Sequence, residues 1–222
     1  MYTISDLYDL SHTYPAAAEY LKGFTYPWEA LAGIKALIRE IGASLPADEF
    51  DHPAEDVWIA KDATVFASAY IAGPCIIGHK TEVRQCAFIR GSALVGENCV
   101  VGNSTELKNV ILFDNVQVPH FNYVGDSILG YKSHMGAGSI TSNVKSDKKL
   151  VVVKDGTMEI ATGLKKFGAM LGDRVEVGCN SVLNPGTVIG RDTNIYPTSC
   201  VRGVVKEKSI WKRDGEVVEK YE

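Results

Sequence analysis

Large apolar residues recur at every sixth position along a long stretch of the chain. The uninterrupted series is Ile59, Val65, Ile71, Ile77, Val83, Ile89, Val95, Val101, Leu107 and Phe113. Small residues follow the large ones at a spacing of four: Ala63, Ala69, Cys75, Thr81, Ala87, Ala93, Cys99 and Thr105. A period of six matches neither a helix face, which needs 3.6, nor an alternating strand, which needs 2. The pattern predicts an all-β solenoid of short strands, in which three hexads close one triangular coil of about 18 residues.

The period is interrupted once and then resumes. After Phe113 the phase slips, and a strict series returns at Leu171, Val177, Leu183, Ile189, Ile195 and Val201. We therefore expect a loop insertion over residues 144–170, with a hairpin around Asp155-Gly156. The insertion is rich in lysine, and loops that interrupt a regular scaffold often carry function.

The residue that follows each large apolar position is predicted to form a corner. Glycine often stands there, at Gly78, Gly96, Gly102, Gly178 and Gly190, which suggests that the corner needs an unusual φ. Arg90 and Lys108 occupy the same position one coil apart, so they should stack on one edge about 5 Å apart. With no acid at either corner, this pair predicts a cradle for a phosphate or another dianion. The alternative is that both cations are simply solvated.

The two ends differ from the solenoid, which we assign to residues 56–205. Residues 1–55 form an N-terminal helical segment, whose main helix, 27–42, carries Leu31, Ile34, Ile38 and Ile41 on one face. Shorter helices are expected at 15–23 and 5–10. Residues 206–222 form a C-terminal hairpin around Asp214-Gly215. A lone amphipathic helix is marginal in water, so we expect the two ends to cap or flank the solenoid, with capping the favoured role.

Composition excludes several classes of protein. The net charge of −4, with both signs mixed along the chain, provides no one-sided field for nucleic acid. The chain shows no signal peptide and no apolar run long enough to span a membrane. The five cysteines form no CxxC pair, which argues against a disulfide framework or a zinc ribbon, and Cys75 and Cys99 are expected in the core. We therefore expect a cytoplasmic protein.

A histidine and a tyrosine follow the cationic pair. His120 lies twelve residues after Lys108, and Tyr123 three residues further on. An imidazole titrates near neutrality and can act as a general base, although a lone histidine is more often structural. One narrow coil has no deep pocket, so a site here would have to form between subunits.

The run VGNSTELKNVILFDNVQVPHFNYVGDSILGYKSHMGAGSITSN, residues 101–143, resembles a known family. It is similar to the acetyltransferase domain of the bifunctional N-acetylglucosamine-1-phosphate uridylyltransferase/glucosamine-1-phosphate acetyltransferase, a hexapeptide-repeat protein. The family pattern VGN..E.K, GH..Y.GD and IGAG.IT.N places five residues in order: Arg90, Lys108, His120, Tyr123 and Asn143. The resemblance covers about residues 57–205 and implies a left-handed parallel β-helix that assembles as a homotrimer.

The same resemblance implies roles for individual residues. His120 would be the catalytic base, Arg90 and Lys108 would bind the sugar phosphate, and Tyr123 and Asn143 would bind the sugar. Two further sets complete the implied site: Lys149 for the substrate, and Ala137 and Cys179 for acetyl-CoA. The expected reaction is acetyl transfer from acetyl-CoA to the amine of glucosamine 1-phosphate or galactosamine 1-phosphate.

The long insertion, with its TGLKKFGAMLGD return, looks more like the archaeal-type sugar-1-phosphate nucleotidylyltransferase/acetyltransferase. Departures from the bacterial pattern are His134 for asparagine, Val144 for tyrosine and Cys179 for serine. No GxGTR-type loop occurs, so we expect no nucleotidylyltransferase activity. Two alternatives stay open: a non-catalytic sugar-phosphate-binding trimer, and a γ-type carbonic anhydrase, in which three histidines from two subunits bind zinc and which His79, His120 and His134 could supply.

Overall fold

The chain winds into a triangular solenoid, and each of its three faces is a sheet of parallel strands. The computed structural model describes residues 1–212 and 215–220. The fold is the left-handed parallel β-helix of hexapeptide repeats. Face 1 contains β2 Val57–Ala60, β5 Cys75–Ile77, β8 Ala93–Val95, the second halves of β10 Glu106–Leu112 and β12 Tyr123–Leu129, β17 Ala169–Leu171, β20 Thr187–Ile189 and β23 Val204–Val205.

The other two faces are built in the same way. Face 2 contains β3 Thr64–Val65, β6 Glu82–Val83, β9 Val100–Asn103, β11 Gln117–His120, β13 His134–Met135, β18 Glu176–Val177, β21 Asn194–Ile195 and β24 Ser209–Trp211. Face 3 contains β4 Tyr70–Ile71, β7 Phe88–Ile89, the first halves of β10 and β12, β14 Ile140–Thr141, β19 Val182–Leu183 and β22 Cys200–Val201. Three antiparallel pairings complete the sheets or lie outside them: β1 Phe50–Ala54 on β2, β25 Val217–Glu219 on β24, and the hairpin of β15 Val152–Asp155 with β16 Met158–Ala161.

The hairpins are confirmed at both predicted places. In the insertion, the turn between β15 and β16 contains Gly156 with φ of +58°. At the C-terminus β24 and β25 pair antiparallel, while Asp214 of the predicted turn lies outside the described residues.

The coil length changes earlier than the hydrophobic series suggests. Ile89 pairs with Leu107, 18 residues on, but Val95 pairs with Leu112, 17 residues on. The coil therefore loses one residue at the corner formed by Lys108 and Asn109. Assigning Phe113 to the periodic series was wrong by one residue, because Leu112 takes the periodic position and Phe113 packs beyond it against Tyr8, with ring centroids 5.1 Å apart.

The corner glycines are present for space and not for backbone conformation. The five glycines that follow large residues all lack a positive φ; the left-handed residue comes two positions later, at Lys80, Asn98, Ser104, Asn180 and Asp192. A Cβ at Gly102 would lie 1.6 Å from the carbonyl oxygen of Pro119 on the next coil. The predicted need for an unusual φ was therefore wrong, and the true requirement is close approach between coils.

The N-terminal helices cover a side of the solenoid. They are α1 Ile4–Leu7, a 3-10 turn Leu10–His12, α2 Pro15–Lys22, a 3-10 helix Pro27–Gly33 and α3 Ile34–Ser44. The predicted single helix over 27–42 thus changes type at Gly33, and its four apolar residues are buried.

These helices pack on face 1, with α3 against β5, β8 and β10. The expectation that they cap an end was wrong. The reason is that the outward side chains of face 1 are also apolar, and Ile76, Leu94, Ile111, Ile128 and Met170 are fully buried beneath the helices. Among the described residues, no helix is long and apolar enough to cross a membrane.

Candidate active site

The cationic pair stacks as its spacing predicts, at the edge between faces 3 and 1. The backbone N–H of Arg90 donates to the carbonyl of Leu107 at 2.9 Å, which places Lys108 directly over Arg90. Each cation nevertheless has an acid. Arg90 donates to Glu106 Oε1 at 2.7 Å, and Lys108 Nζ lies 2.8 and 3.0 Å from the two oxygens of Asp126.

The expectation of a corner without acids was therefore wrong. Glu106 is an outward residue of the same strand as Lys108, and the shortened coil brings Asp126 into the corner. The bond to Glu106 raises the pKa of the Arg90 guanidinium, so this arginine stays fully charged. The formal charges of these four side chains cancel.

Asp126 is the centre of the polar network at this corner. Its side chain is 5% exposed and accepts from Lys108, from Asn109 Nδ2 at 3.0 Å and from Asn143 Nδ2 at 2.6 Å. Asn109 Nδ2 also lies 3.2 Å from the carbonyl of Leu31, so the network touches the N-terminal helices. Asp126 is the aspartate of the Y.GD motif, but the sequence alone gave no reason to assign it a role.

Tyr123 joins the network through Asn143. The Asn143 Nδ2 donates to the Tyr123 hydroxyl at 3.1 Å. Burial raises the pKa of Tyr123, and the negative charges of Asp126 and Glu106 raise it further. The phenol therefore stays protonated at neutral pH, and its own proton is available to a ligand.

His120 lies on the other edge of face 3, where face 2 turns into it. The residue is exposed, and Phe121 beside it is 61% exposed with φ of +52°. Asn122 then turns inward and donates from Nδ2 to the carbonyls of Gly136 at 2.9 Å and Ser139 at 3.1 Å. The glycine-rich turn MGAGS is thus fixed from inside the coil by Asn122, which sequence reasoning also missed.

The two residues that the resemblance implies for acetyl-CoA share the edge of His120. Gly138 N–H donates to the carbonyl of His120 at 3.0 Å, and Asn180 N–H donates to the carbonyl of Ala137 at 2.9 Å. Thr198 N–H continues the ladder to the carbonyl of Cys179 at 2.8 Å. His120, Ala137 and Cys179 therefore follow one another on successive coils, and Cys179 is exposed.

The site residues thus form two groups on one protomer. His120, Ala137 and Cys179 lie on one edge of face 3, and Arg90, Lys108 and Asn143 lie towards the other. Phe121 and Asp126 are five residue steps apart, about 16 Å along an extended strand. Tyr123 stands between the two groups.

The insertion leaves and re-enters the solenoid beside Asp126. Phe167 N–H donates to the carbonyl of Asn143 at 3.0 Å, and Gly168 N–H donates to the carbonyl of Asp126 at 2.8 Å. Lys149 lies in the outgoing arm and is exposed. A cleft of about 880 Å³, lined in part by Val144, separates this arm from the later coils.

The histidines of the zinc alternative do not converge within the described chain. His79 Nδ1 lies 2.9 Å from Asp62, and His134 Nδ1 lies 2.8 Å from Glu176 on face 2. Within residues 1–212 and 215–220, no three His, Cys, Asp or Glu side chains are grouped so that they could hold a metal ion.

Comparison with known proteins defines the family. The family described as GMPPB C-terminal domain matches residues 71–210, and the chain belongs to it. The bifunctional protein GlmU of Methanococcus maripaludis strain C5 is 30% identical over 135 residues, covering 60% of this chain and 33% of that protein. The bifunctional sugar-1-phosphate nucleotidylyltransferase/acetyltransferase of Sulfurisphaera tokodaii is 34% identical over 145 residues, covering 65% and 36%. The chain spans about a third of the length of these relatives.

Solved structures with a similar fold share less sequence identity with this chain. A perosamine N-acetyltransferase mutant from Caulobacter crescentus, in complex with CoA and GDP-perosamine, is 15% identical with a TM-score of 0.40, covering 73% of this chain and 56% of that one. A hexapeptide transferase family protein from Anaplasma phagocytophilum is 14% identical with a TM-score of 0.40, covering 75% and 80%.

Proposed function

We propose that this chain is an acetyl-CoA-dependent N-acetyltransferase whose acceptor is an amino-sugar 1-phosphate, either glucosamine 1-phosphate or galactosamine 1-phosphate. The observation that carries the proposal is the edge on which exposed His120 stands directly beneath Ala137 and Cys179. The relative named as a bifunctional sugar-1-phosphate nucleotidylyltransferase/acetyltransferase supports the substrate class. Nucleotidyl transfer is not assigned to these residues, since they contain no GxGTR-type loop.

In the proposed reaction His120 acts as general base. Its imidazole takes the proton released as the acceptor amine bonds to the acetyl carbon. The carbon–sulfur bond then breaks, and the departing sulfur of CoA receives a proton. A positioned base of this kind typically contributes 10²- to 10⁴-fold in rate.

The proposal requires a homotrimer. Since His120 and Lys108 lie at opposite edges of one face, a neighbouring protomer would bring its His120 edge against this Lys108 corner. Face 3 supports such an assembly, because Tyr70 and Phe88 on it are 60% and 42% exposed, with ring centroids 5.6 Å apart. Exposed aromatic pairs of this kind are common at protein interfaces.

The test is CoA release with each of the two sugar phosphates. His120→Ala should lower kcat at least a hundredfold while the protein stays folded. His134→Ala is the matched control, because His134 is also partly exposed but lies on face 2 beside Glu176, and it should keep wild-type turnover.

Other outcomes separate the alternatives. Unchanged turnover in His120→Ala would remove the base from the mechanism. Sugar-phosphate binding without CoA release by the wild type would favour the non-catalytic trimer. Stoichiometric zinc in the purified protein, with hydration of carbon dioxide, would favour the carbonic anhydrase alternative.

A further inference from the structure

Asp126 occupies a position that only the shortened coil creates. It has φ of +48°, a left-handed conformation that aspartate tolerates better than most residues. The corresponding corner one coil earlier has its left-handed residue at Asn109, and the Asn109 side chain reaches across to Asp126 at 3.0 Å. The corner therefore turns a carboxylate towards the groups stacked around it.

The contacts of the Asp126 side chain are made with residues of the two neighbouring coils. Lys108 and Asn109 come from the coil before, and Asn143 comes from the coil after. A buried carboxylate must be paired and hydrogen-bonded to be tolerated, and these donors meet that need. Two of the three donor residues are implied substrate-binding residues, which distinguishes this carboxylate from one that only supports the backbone.

Among residues 1–212 and 215–220, the network leaves specific groups free for a ligand. Asn143 Nδ2 is engaged by Asp126 at 2.6 Å and by Tyr123 at 3.1 Å, so the amide oxygen of Asn143 is left to accept. The Tyr123 hydroxyl accepts from Asn143 and keeps its own proton to donate. Lys108, 25% exposed, can direct its remaining N–H outwards. Donors and acceptors of these kinds can form hydrogen bonds with sugar hydroxyl groups.

We propose that Asp126 is a positioning residue for the acceptor sugar: it orients Lys108 and Asn143, and through Asn143 it orients Tyr123. It also cancels the charge of Lys108, so directed hydrogen bonds dominate recognition at this corner. The inference rests on the acetyltransferase function proposed above. Asp126 itself contacts neither the amine nor the thioester.

The first test compares Asp126→Asn with Asp173→Asn. Asp173 is another buried carboxylate, at the edge between faces 1 and 2, and accepts from the backbone N–H groups of Asp9 at 2.8 Å and Tyr131 at 2.9 Å. Loss of charged hydrogen bonds predicts a rise of about tenfold or more in the acceptor KM of Asp126→Asn. Its KM for acetyl-CoA should stay within about twofold of wild type, because the side chains that Asp126 holds, Lys108 and Asn143, are implied for the sugar and not for the cofactor.

Asp173→Asn should lose stability and keep both KM values. An unchanged acceptor KM in Asp126→Asn, or an equal rise in both KM values, would overturn the proposal. If Asp126→Asn does not fold, the double variant Asp126→Asn/Lys108→Gln removes both charges of the pair and leaves neither one buried alone. The same selective rise in acceptor KM is expected for it, and a wild-type acceptor KM would refute the role of Asp126.

The second test does not depend on turnover. Trace acetylation by acetic anhydride, read by mass spectrometry of the peptide that contains Lys108, should be several-fold faster in Asp126→Asn than in wild type and unchanged in Asp173→Asn. Equal Lys108 labelling in all three proteins would show that Asp126 does not hold the lysine. Faster labelling with no acetyl transfer by the wild type would retain the positioning role and reject the proposed function.

Discussion

Replacing Gly102 with alanine should be among the most destabilising small changes in the solenoid. The added Cβ would lie 1.6 Å from the Pro119 oxygen, whereas ordinary contact begins at 3.4 Å, so the neighbouring coil must move by about 3.4 − 1.6 = 1.8 Å. Such a shift would break the ladder bonds that join these two coils, Val100 N–H to the Val116 carbonyl and Phe121 N–H to the Asn103 carbonyl, at 3.0 and 2.9 Å. Two bonds at about 1 kcal/mol each, with about 1–3 kcal/mol of overpacking, amount to about 3–5 kcal/mol.

Urea unfolding followed by circular dichroism measures this loss. Gly23→Ala is the control, because Gly23 is exposed at the end of α2 and its Cβ would meet only the Tyr20 carbonyl at 3.2 Å. That variant should change the free energy of unfolding by no more than about 0.5 kcal/mol. A loss below about 1 kcal/mol in Gly102→Ala would refute the view that coil spacing requires this glycine.

Three further outcomes are expected. Tyr123→Phe removes one neutral hydrogen bond donor and should raise the acceptor KM about 2- to 13-fold. The factor should be the same from pH 7 to pH 9, because the raised pKa of Tyr123 keeps the wild-type phenol protonated. A factor that shrinks towards pH 9 would contradict this. Burial raises the pKa of Asp173, so this group stabilises the fold most below its unfolded pKa and less as pH rises through the folded pKa. In urea titrations, the difference in free energy of unfolding between wild type and Asp173→Asn should therefore be larger at pH 4 than at pH 7. A difference that grows with pH would be inconsistent with the burial. Phe88→Glu places a charge on the aromatic pair of face 3 and should dissociate the proposed trimer, so that light scattering gives a lower molar mass. An unaltered molar mass would exclude face 3 from the interface.

The hydrophobic period predicted the solenoid because the structure obeys a local rule. Each hexad contributes one inward large residue, such as Val83 or Ile189, and that requirement is the same in every coil. The stacking of Arg90 and Lys108 followed from the same rule, because residues one coil apart also align on the outside of the solenoid. The insertion hairpin was also readable, because Asp155-Gly156 is a local turn signal.

The pairing of Arg90 and Lys108 with acidic residues could not be predicted, although both acidic residues are present in the sequence. Glu106 reaches Arg90 across the coil interface, and Asp126 reaches Lys108 because one residue is missing from the coil at Asn109. Side-chain pairing depends on register between coils, and a change of register by one residue redirects a side chain. The burial of face 1 was missed for a related reason: only the docking of α3 turns the outward Ile76, Leu94 and Ile111 into core.

The sequence by itself determined which residues point inward in the regular hexads up to Leu107 and from Leu171 onwards, because a repeat of large and small side chains every six residues buries both by turning them inward. It also placed Arg90 and Lys108 on one edge, one coil apart. Only the tertiary structure decided that Asp126 neutralises Lys108, that Asn122 fixes the glycine-rich turn and that glycine is needed at residue 102 for space. Those facts depend on distances between coils and on the register at one shortened corner, and neither quantity is local to any segment of the chain.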